Sequence, residues 1–247
     1  MGNRILEVCC YSVQSAINAQ RGGAARIELC QGMAEGGTTP SYATIKRAKA
    51  LLSIKVNVII RPRGGDFLYS DQEFEVMKED VLMCKSLGVD GVVIGLLHAN
   101  GTVDATRTAE LVRLARPMSV TFHRAFDMTV DPFASLDTLI EVGIDRILTS
   151  GQEQTADKGA VLLQTLVAKA NGKLVIMPGS GVNEGNIQLL MEQTQATEYH
   201  LSAKALMKGA MEYRNPRISM GGVAGLPEYD TYESDEATIR RIVELIK

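Results

Sequence analysis

The chain has 247 residues, 45% of them hydrophobic, which is enough for one large core and ordinary for a single α/β barrel domain. Its 26 Lys and Arg against 29 Asp and Glu give a formal net charge of -3 with no basic stripe, which argues against nucleic acid or an anionic membrane as partner. The amino terminus lacks a signal-peptide core, Leu6 stands where N-myristoylation wants Ser or Thr, no apolar run reaches the ~20 residues of a membrane span, and four cysteines without a C-x-x-C pattern read as reduced thiols; a cytoplasmic location is expected.

Along the chain, short apolar or β-branched runs alternate with longer amphipathic stretches. Strands are predicted at residues 5–11, 26–30, 56–61, 91–95, 119–123, 146–150, 174–178 and 198–202. Helices are predicted at 12–21, 42–52, 71–87, 104–115, 132–142, 157–170, 183–193 and 235–246. Ser70 with Asp71, Asp104 and Asn183 mark helix starts, and Gly88, Gly143 and Gly172 fall where helices should stop. The alternation runs eight times, the number that closes a parallel barrel, so the expected fold is one TIM-type (β/α)8 domain over residues 1–247. The stretch 209–233 is long for an unstructured connection and reads as a lid over the pocket or an arm for subunit contact. Met207 and Met211 share helical spacing, which reads as core or interface packing.

Neighbouring strand residues face opposite ways, so parity sorts each strand into a helix-facing and a barrel-facing side. Leu6 and Val8, Ile27 and Leu29, Val56, Val58 and Ile60, Val120 and Phe122, and Tyr199 and Leu201 take the apolar side. Glu7, Cys9, Glu28, Cys30, Asn57, Arg61, Thr121, His123, His200 and Ser202 are left to point inward. Most barrels fill that space with Val, Ile and Leu. Buried charge is costly unless paired, so an interior this polar implies an ion-pair network and a ligand.

Two strand exits carry a cation and then an aspartate, RPRGGDF at 61–67 and TFHRAFD at 121–127, on the face where parallel barrels bind ligands. Glu7, Glu28 and His123 are candidate acid–base residues; the plainer reading of the two glutamates is an ion-pair network with Arg61 and Arg63. Arg61 and Arg63, beside a Gly-Gly pair, are candidate anion ligands, together with Gly179, Ser180 and Gly181 in the turn after the seventh strand. Ser202 and Ala203 give a modest second half to that turn, and Thr149, Ser150 and Gly151 stand ready to assist. Cys9 and Cys10 point to opposite faces and cannot grip one ion, whereas Cys9 and Cys30 occupy equivalent places in two E-x-C runs on neighbouring strands. That pair reads either as a soft-ion site for Cu(I) or as two small buried hydrophobes. Cys84 reads as helix packing and His98 as an exposed bystander.

Taken together, EVCCYS at 7–12, RIELC at 26–30, EGGTTPS at 35–41, RPRGGDFLYSD at 61–71, TFHRAFD at 121–127, LTSG at 148–151 and MPGSGV at 177–182 resemble the CutC family, named for copper homeostasis. The resemblance runs through nearly the whole chain. It implies a TIM-type barrel, a cytoplasmic location, assembly into a homodimer or higher homo-oligomer, and an association with copper, with Cys9 and Cys30 at the positions of cysteines proposed there as Cu(I) ligands. The residues themselves fit a second expectation as well: a metal-independent barrel enzyme acting on a small phosphorylated or carboxylated metabolite.

Overall fold

Parallel strands form where the apolar runs predict them: β1 (Ile5–Cys10), β2 (Arg26–Leu29), β3 (Lys55–Ile59), β4 (Gly91–Ile94), β5 (Ser119–Phe122), β6 (Arg146–Thr149), β7 (Val175–Pro178) and β8 (Glu198–Leu201). The computed structural model describes residues 4–218 and 227–247, so residues 1–3 and residues 219–226 of the long late connection lie outside the described residues. The strands hydrogen-bond in the order β7-β6-β5-β4-β3-β2-β1-β8, and β7 adjoins β8 at the remaining seam. The result is the expected (β/α)8 barrel. Around it lie α1 (Val13–Arg21), α2 (Tyr42–Leu51), α3 (Asp71–Ser86), α4 (Ala105–Ala115), α5 (Pro132–Glu141), α6 (Ala160–Ala170), α7 (Ile187–Thr194) and α8 (Glu236–Ile246).

Local chemistry sets the helix ends. Ser70 and Glu73 form a reciprocal capping box at α3, and Asp104 accepts the Arg107 N–H at α4. Gly88 and Gly143 take positive φ just past α3 and α5, where a side chain would be strained. Two predicted starts move. The α6 helix begins three residues later than expected because Gly159 packs on the β6 exit, where a Cβ would lie 1.9 Å from the Ser150 carbonyl oxygen. Asn183 is not a cap: its side chain closes a turn by accepting the Gly185 N–H, and α7 starts only at Ile187.

The helix-facing residues of the strands merge with the inner faces of the helices into one apolar shell that includes Leu6, Val8, Ile27, Val58, Phe122 and Tyr199. Inside the barrel the register decides which side chains meet. Glu7 pairs with Arg26 on one side and His200 on the other, Glu28 with Asn57, Asn57 with Gly91, and Thr121 with Arg146. Each strand is thus staggered against the last, as barrel closure requires, and inward residues from alternate strands share a level. From the floor upward the levels are Arg26, Gly91, Arg146 and Glu198; then Glu7, Asn57, Thr121 and Met177; then Glu28, Val93, Leu148 and His200; then Cys9, Ile59, His123 and Gly179. The two E-x-C runs are therefore not in register. Cys9 faces Glu28, and Cys30 sits a level higher.

After β8 the chain turns outward into β9 (Lys204–Met207), which pairs antiparallel with β10 (Thr231–Ser234) before α8. Met207 lies on a strand, and both it and Met211 are exposed, so the helical spacing of the two methionines has no helix behind it.

Candidate functional site

The barrel floor is an ion-pair network. Arg26 donates to both Glu7 and Glu198, Arg146 donates to Glu198 at 2.6 Å and to Thr121 at 3.2 Å, and Asn57 donates to Glu7 at 3.3 Å. All of these residues are buried. Burial alone would raise the Glu7 pKa, but the Arg26 guanidinium and the His200 imidazole hold it well below the usual carboxylate range. Glu7 therefore pairs with Arg26 and His200, and Glu28 with His200, and neither glutamate meets Arg61 or Arg63. Parity could have found Arg26 and Glu198, since Arg26 precedes Glu28 by two and Glu198 precedes His200 by two.

His200 joins this floor to the thiols above it. Its Nδ1 lies 2.8 Å from Glu7 Oε1 and its Nε2 lies 3.6 Å from Glu28 Oε2. Burial disfavours its charged form, yet Cys9 and Glu7 raise its pKa well above the usual histidine value. Cys9 Sγ and Cys30 Sγ approach to 3.7 Å, packed with Ile59, Val93 and Tyr11. The hydrogen bond from Cys30 lowers the Cys9 pKa against the effect of burial, and His200 lowers it further; burial and the Cys9 charge raise that of Cys30. Cys9 is thus the more acidic of the two sulfurs, the one on which a negative charge is favoured. Glu28, buried beside that charge, has its pKa pushed up to about 8, first by desolvation and then by Cys9, and its Oε1 has no partner. One donor atom each from Cys9, Glu28 and Cys30 lie within 4.8 Å of one another. Cys10 is on the outer side, 4.0 Å from Ser234 Oγ, and Cys84 is buried in α3.

A cavity of about 1250 Å³ opens above the thiols, bordered by Cys9, Glu28, Arg61, His123, Ser180, Gly181 and His200 among others. The two strand-exit motifs shape its rim. Arg61 donates to the carbonyls of Glu35 at 2.6 Å, Gly37 at 2.8 Å and Gly65 at 2.8 Å. Arg63 turns away from the cavity to pair with Glu73 and Asp66 and to stack on Tyr69. Asp127 pairs with Arg124 at 2.7 Å and accepts the Ser150 N–H at 3.0 Å and the Gln152 N–H at 3.2 Å. The β6 exit is therefore engaged by a carboxylate of the protein itself.

His123 Nδ1 accepts the Ala125 N–H at 3.0 Å, which places the proton of the neutral ring on Nε2, an atom with no partner. Burial, reinforced by Arg61, pulls its pKa down to about 3. Gly179 does not border the cavity; a Cβ there would sit 2.4 Å from Leu148 Cδ1, so its glycine serves close packing. Ser180 and Gly181 both take positive φ at the rim, as does Ala203, and Ser202 and Ala203 border the same space. His98 is half exposed, 3.9 Å from Asp104, at the outer lip. Among the described residues of the late connection, none beyond Lys204 lines the cavity.

With this geometry in place, the comparisons with known proteins are consistent from one end of the chain to the other. The sequence profile of the CutC family matches residues 4–205. A family protein CutC from Parabacteroides distasonis is 49% identical over 241 residues, covering 97% of this chain and 99% of that one. Copper homeostasis protein cutC homologs of Mus musculus and Homo sapiens are each 46% identical over 243 residues, covering 98% of this chain and 89% of theirs. The crystal structure of a CutC protein from Streptococcus agalactiae superposes with a TM-score of 0.77 at 34% identity, covering 81% of this chain and 98% of that one. Phosphoribosylanthranilate isomerase from Thermotoga maritima superposes with a TM-score of 0.57 at 12% identity, over 98% of each chain, a likeness of fold alone. Among the described residues, no helix is long and apolar enough to cross a membrane.

Proposed function

The chain belongs to the CutC family, and on that premise we propose that it serves copper homeostasis by binding one Cu(I) ion between Cys9 and Cys30. The observation that carries this reading is the 3.7 Å approach of the two thiols at the base of an open cavity. Thiolates are soft ligands and favour Cu(I), an ion content with few donors. The third nearby donor, Glu28, is a hard carboxyl, and the cluster lacks the four nitrogen or sulfur ligands of a structural zinc site. Cys9 is already the more acidic of the pair, so binding displaces chiefly the Cys30 proton, and affinity falls as pH falls. Glu7 and His200 hold the charge beneath the pair instead of ligating it.

Anaerobic Cu(I) competition against a chromophoric chelator tests this. The expected result is one ion per chain in the wild type and none at comparable affinity in Cys9→Ser or Cys30→Ser. Unchanged stoichiometry and affinity in the double variant would remove the reading.

A cytoplasmic location and self-association belong to the same proposal. Exposed Leu206, Met207, Met211, Tyr213 and Ile218 support self-association. Light scattering is expected to give a mass at least twice the 26.8 kDa of one chain, and a monomer at all concentrations would reject it.

A further inference from the structure

A copper ion accounts for the thiols but not for the space above them. The cavity, at about 1250 Å³, exceeds the ~300–1,000 Å³ typical of small-molecule sites, and much of its wall is apolar, including Tyr11, Ile59, Phe67, Leu97, Leu148 and Val182. Of its acidic groups, Asp127 pairs with Arg124, Asp66 pairs with Arg63, Glu28 Oε2 lies 3.6 Å from His200, and Glu35 accepts the Gly64 N–H at 2.9 Å. Arg61 is different. It is 6% exposed, no carboxylate lies within ion-pair distance of it among the described residues, and its Nε has no partner. The three carbonyls on its terminal nitrogens fix the plane of the guanidinium but supply no counter-ion.

His123, 5% exposed, presents a second unpartnered donor, Nε2–H, on the same cavity wall. One side chain packs against both. The Phe67 ring lies 5.1 Å from the His123 ring and 5.2 Å from the Arg61 guanidinium carbon, and it follows the Gly64-Gly65 pair, in which Gly65 has a φ of +79°. Two buried donors with no acceptor are a standing cost to the fold. Phe67 itself borders the cavity.

We infer that the barrel mouth binds a small organic oxyanion, a carboxylate or phosphate monoester on an apolar body, whose oxygens are received by Arg61 Nε and His123 Nε2. Phe67 moves aside to admit the head group and then packs on the apolar part of the ligand. The oxyanion contacts use neither cysteine and need no metal.

The test uses metal-free, ¹⁵N-labelled protein titrated with inorganic phosphate, phenyl phosphate and benzoate, reading the arginine Nε–H and histidine Nε2–H signals by NMR. The Arg61 and His123 signals are expected to move together with phenyl phosphate or benzoate, and the tighter of the two identifies the head group. His123→Asn keeps a side-chain oxygen able to accept the Ala125 N–H but removes Nε2, and should weaken binding about tenfold or more. Both signals staying fixed at millimolar levels of all three probes would overturn the inference. So would unchanged binding in His123→Asn, or inorganic phosphate binding as tightly as phenyl phosphate.

Discussion

The lower and upper halves of the barrel interior are built from the same residue types and differ in how those residues are satisfied. On the floor, Arg26 bridges Glu7 and Glu198 and Arg146 pairs with Glu198 through charged hydrogen bonds. At the mouth, Glu28 Oε1, Arg61 Nε and His123 Nε2 have no partner, and the two thiols lie 3.7 Å apart under an open cavity. Buried polar groups without a partner also occur elsewhere, as at Asn57 Oδ1 on the floor, but at the mouth they gather on residues bordering an open cavity. The contrast explains why Glu7, a candidate acid–base residue by sequence, is locked as an anion beneath His200.

Breaking the floor should have the largest effect. Glu198→Ala leaves Arg26 and Arg146 short of a counter-ion in the barrel core, and a loss of about 3–5 kcal/mol is expected in urea unfolding. If the floor tolerates that change within ~1 kcal/mol, the division into a structural and a functional half fails.

Next comes Glu28, whose pKa of about 8 lies above the ordinary 4.5, so its proton is held more tightly in the folded state. The stability it contributes is present below about 4.5 and is lost as pH rises toward 8, by up to ~1.4 kcal/mol per unit. Glu28→Gln removes that slope. In unfolding experiments on metal-free protein the variant should gain on the wild type between pH 5 and pH 8, and parallel stability curves would show that Glu28 is ionised in the folded state.

A smaller change is expected from the thiols: Cys9→Ser and Cys30→Ser should each unfold within ~1–2 kcal/mol of the wild type, since they sit beneath the cavity and make no salt bridge with the floor arginines. A loss as large as that of Glu198→Ala would make them part of the structural half. Smallest is the response of His123. Its pKa of about 3 lies below the ordinary 6.5, so its contribution is complete above 6.5 and fades only as pH falls toward 3. The ¹⁵N shifts should show a neutral Nε2–H tautomer at pH 5, and an imidazolium there would contradict its burial.

The sequence made the architecture and the inward side chains legible because strand parity is a local property: Cys9 inside and Cys10 outside follow from one alternation. It did not make the stagger legible. Barrel shear slides Cys9 against Glu28, and nothing in the E-x-C runs encodes that offset. Arg26 and Glu198 were hidden for a simpler reason, since each is the first residue of its strand, where a charge reads as a solvated end. Arg61 and Arg63 looked alike in RPRGGDF, and only the loop's path separates the cation bordering the cavity from the one paired with Glu73.

The most direct test of the division is copper K-edge absorption of the Cu(I)-loaded protein. Two sulfur neighbours, lost in the Cys9→Ser/Cys30→Ser variant and retained in His123→Asn, are predicted. A shell of nitrogen and oxygen alone, or one unchanged in the cysteine variant, would contradict the assignment of the thiol pair as the metal-binding end of the barrel.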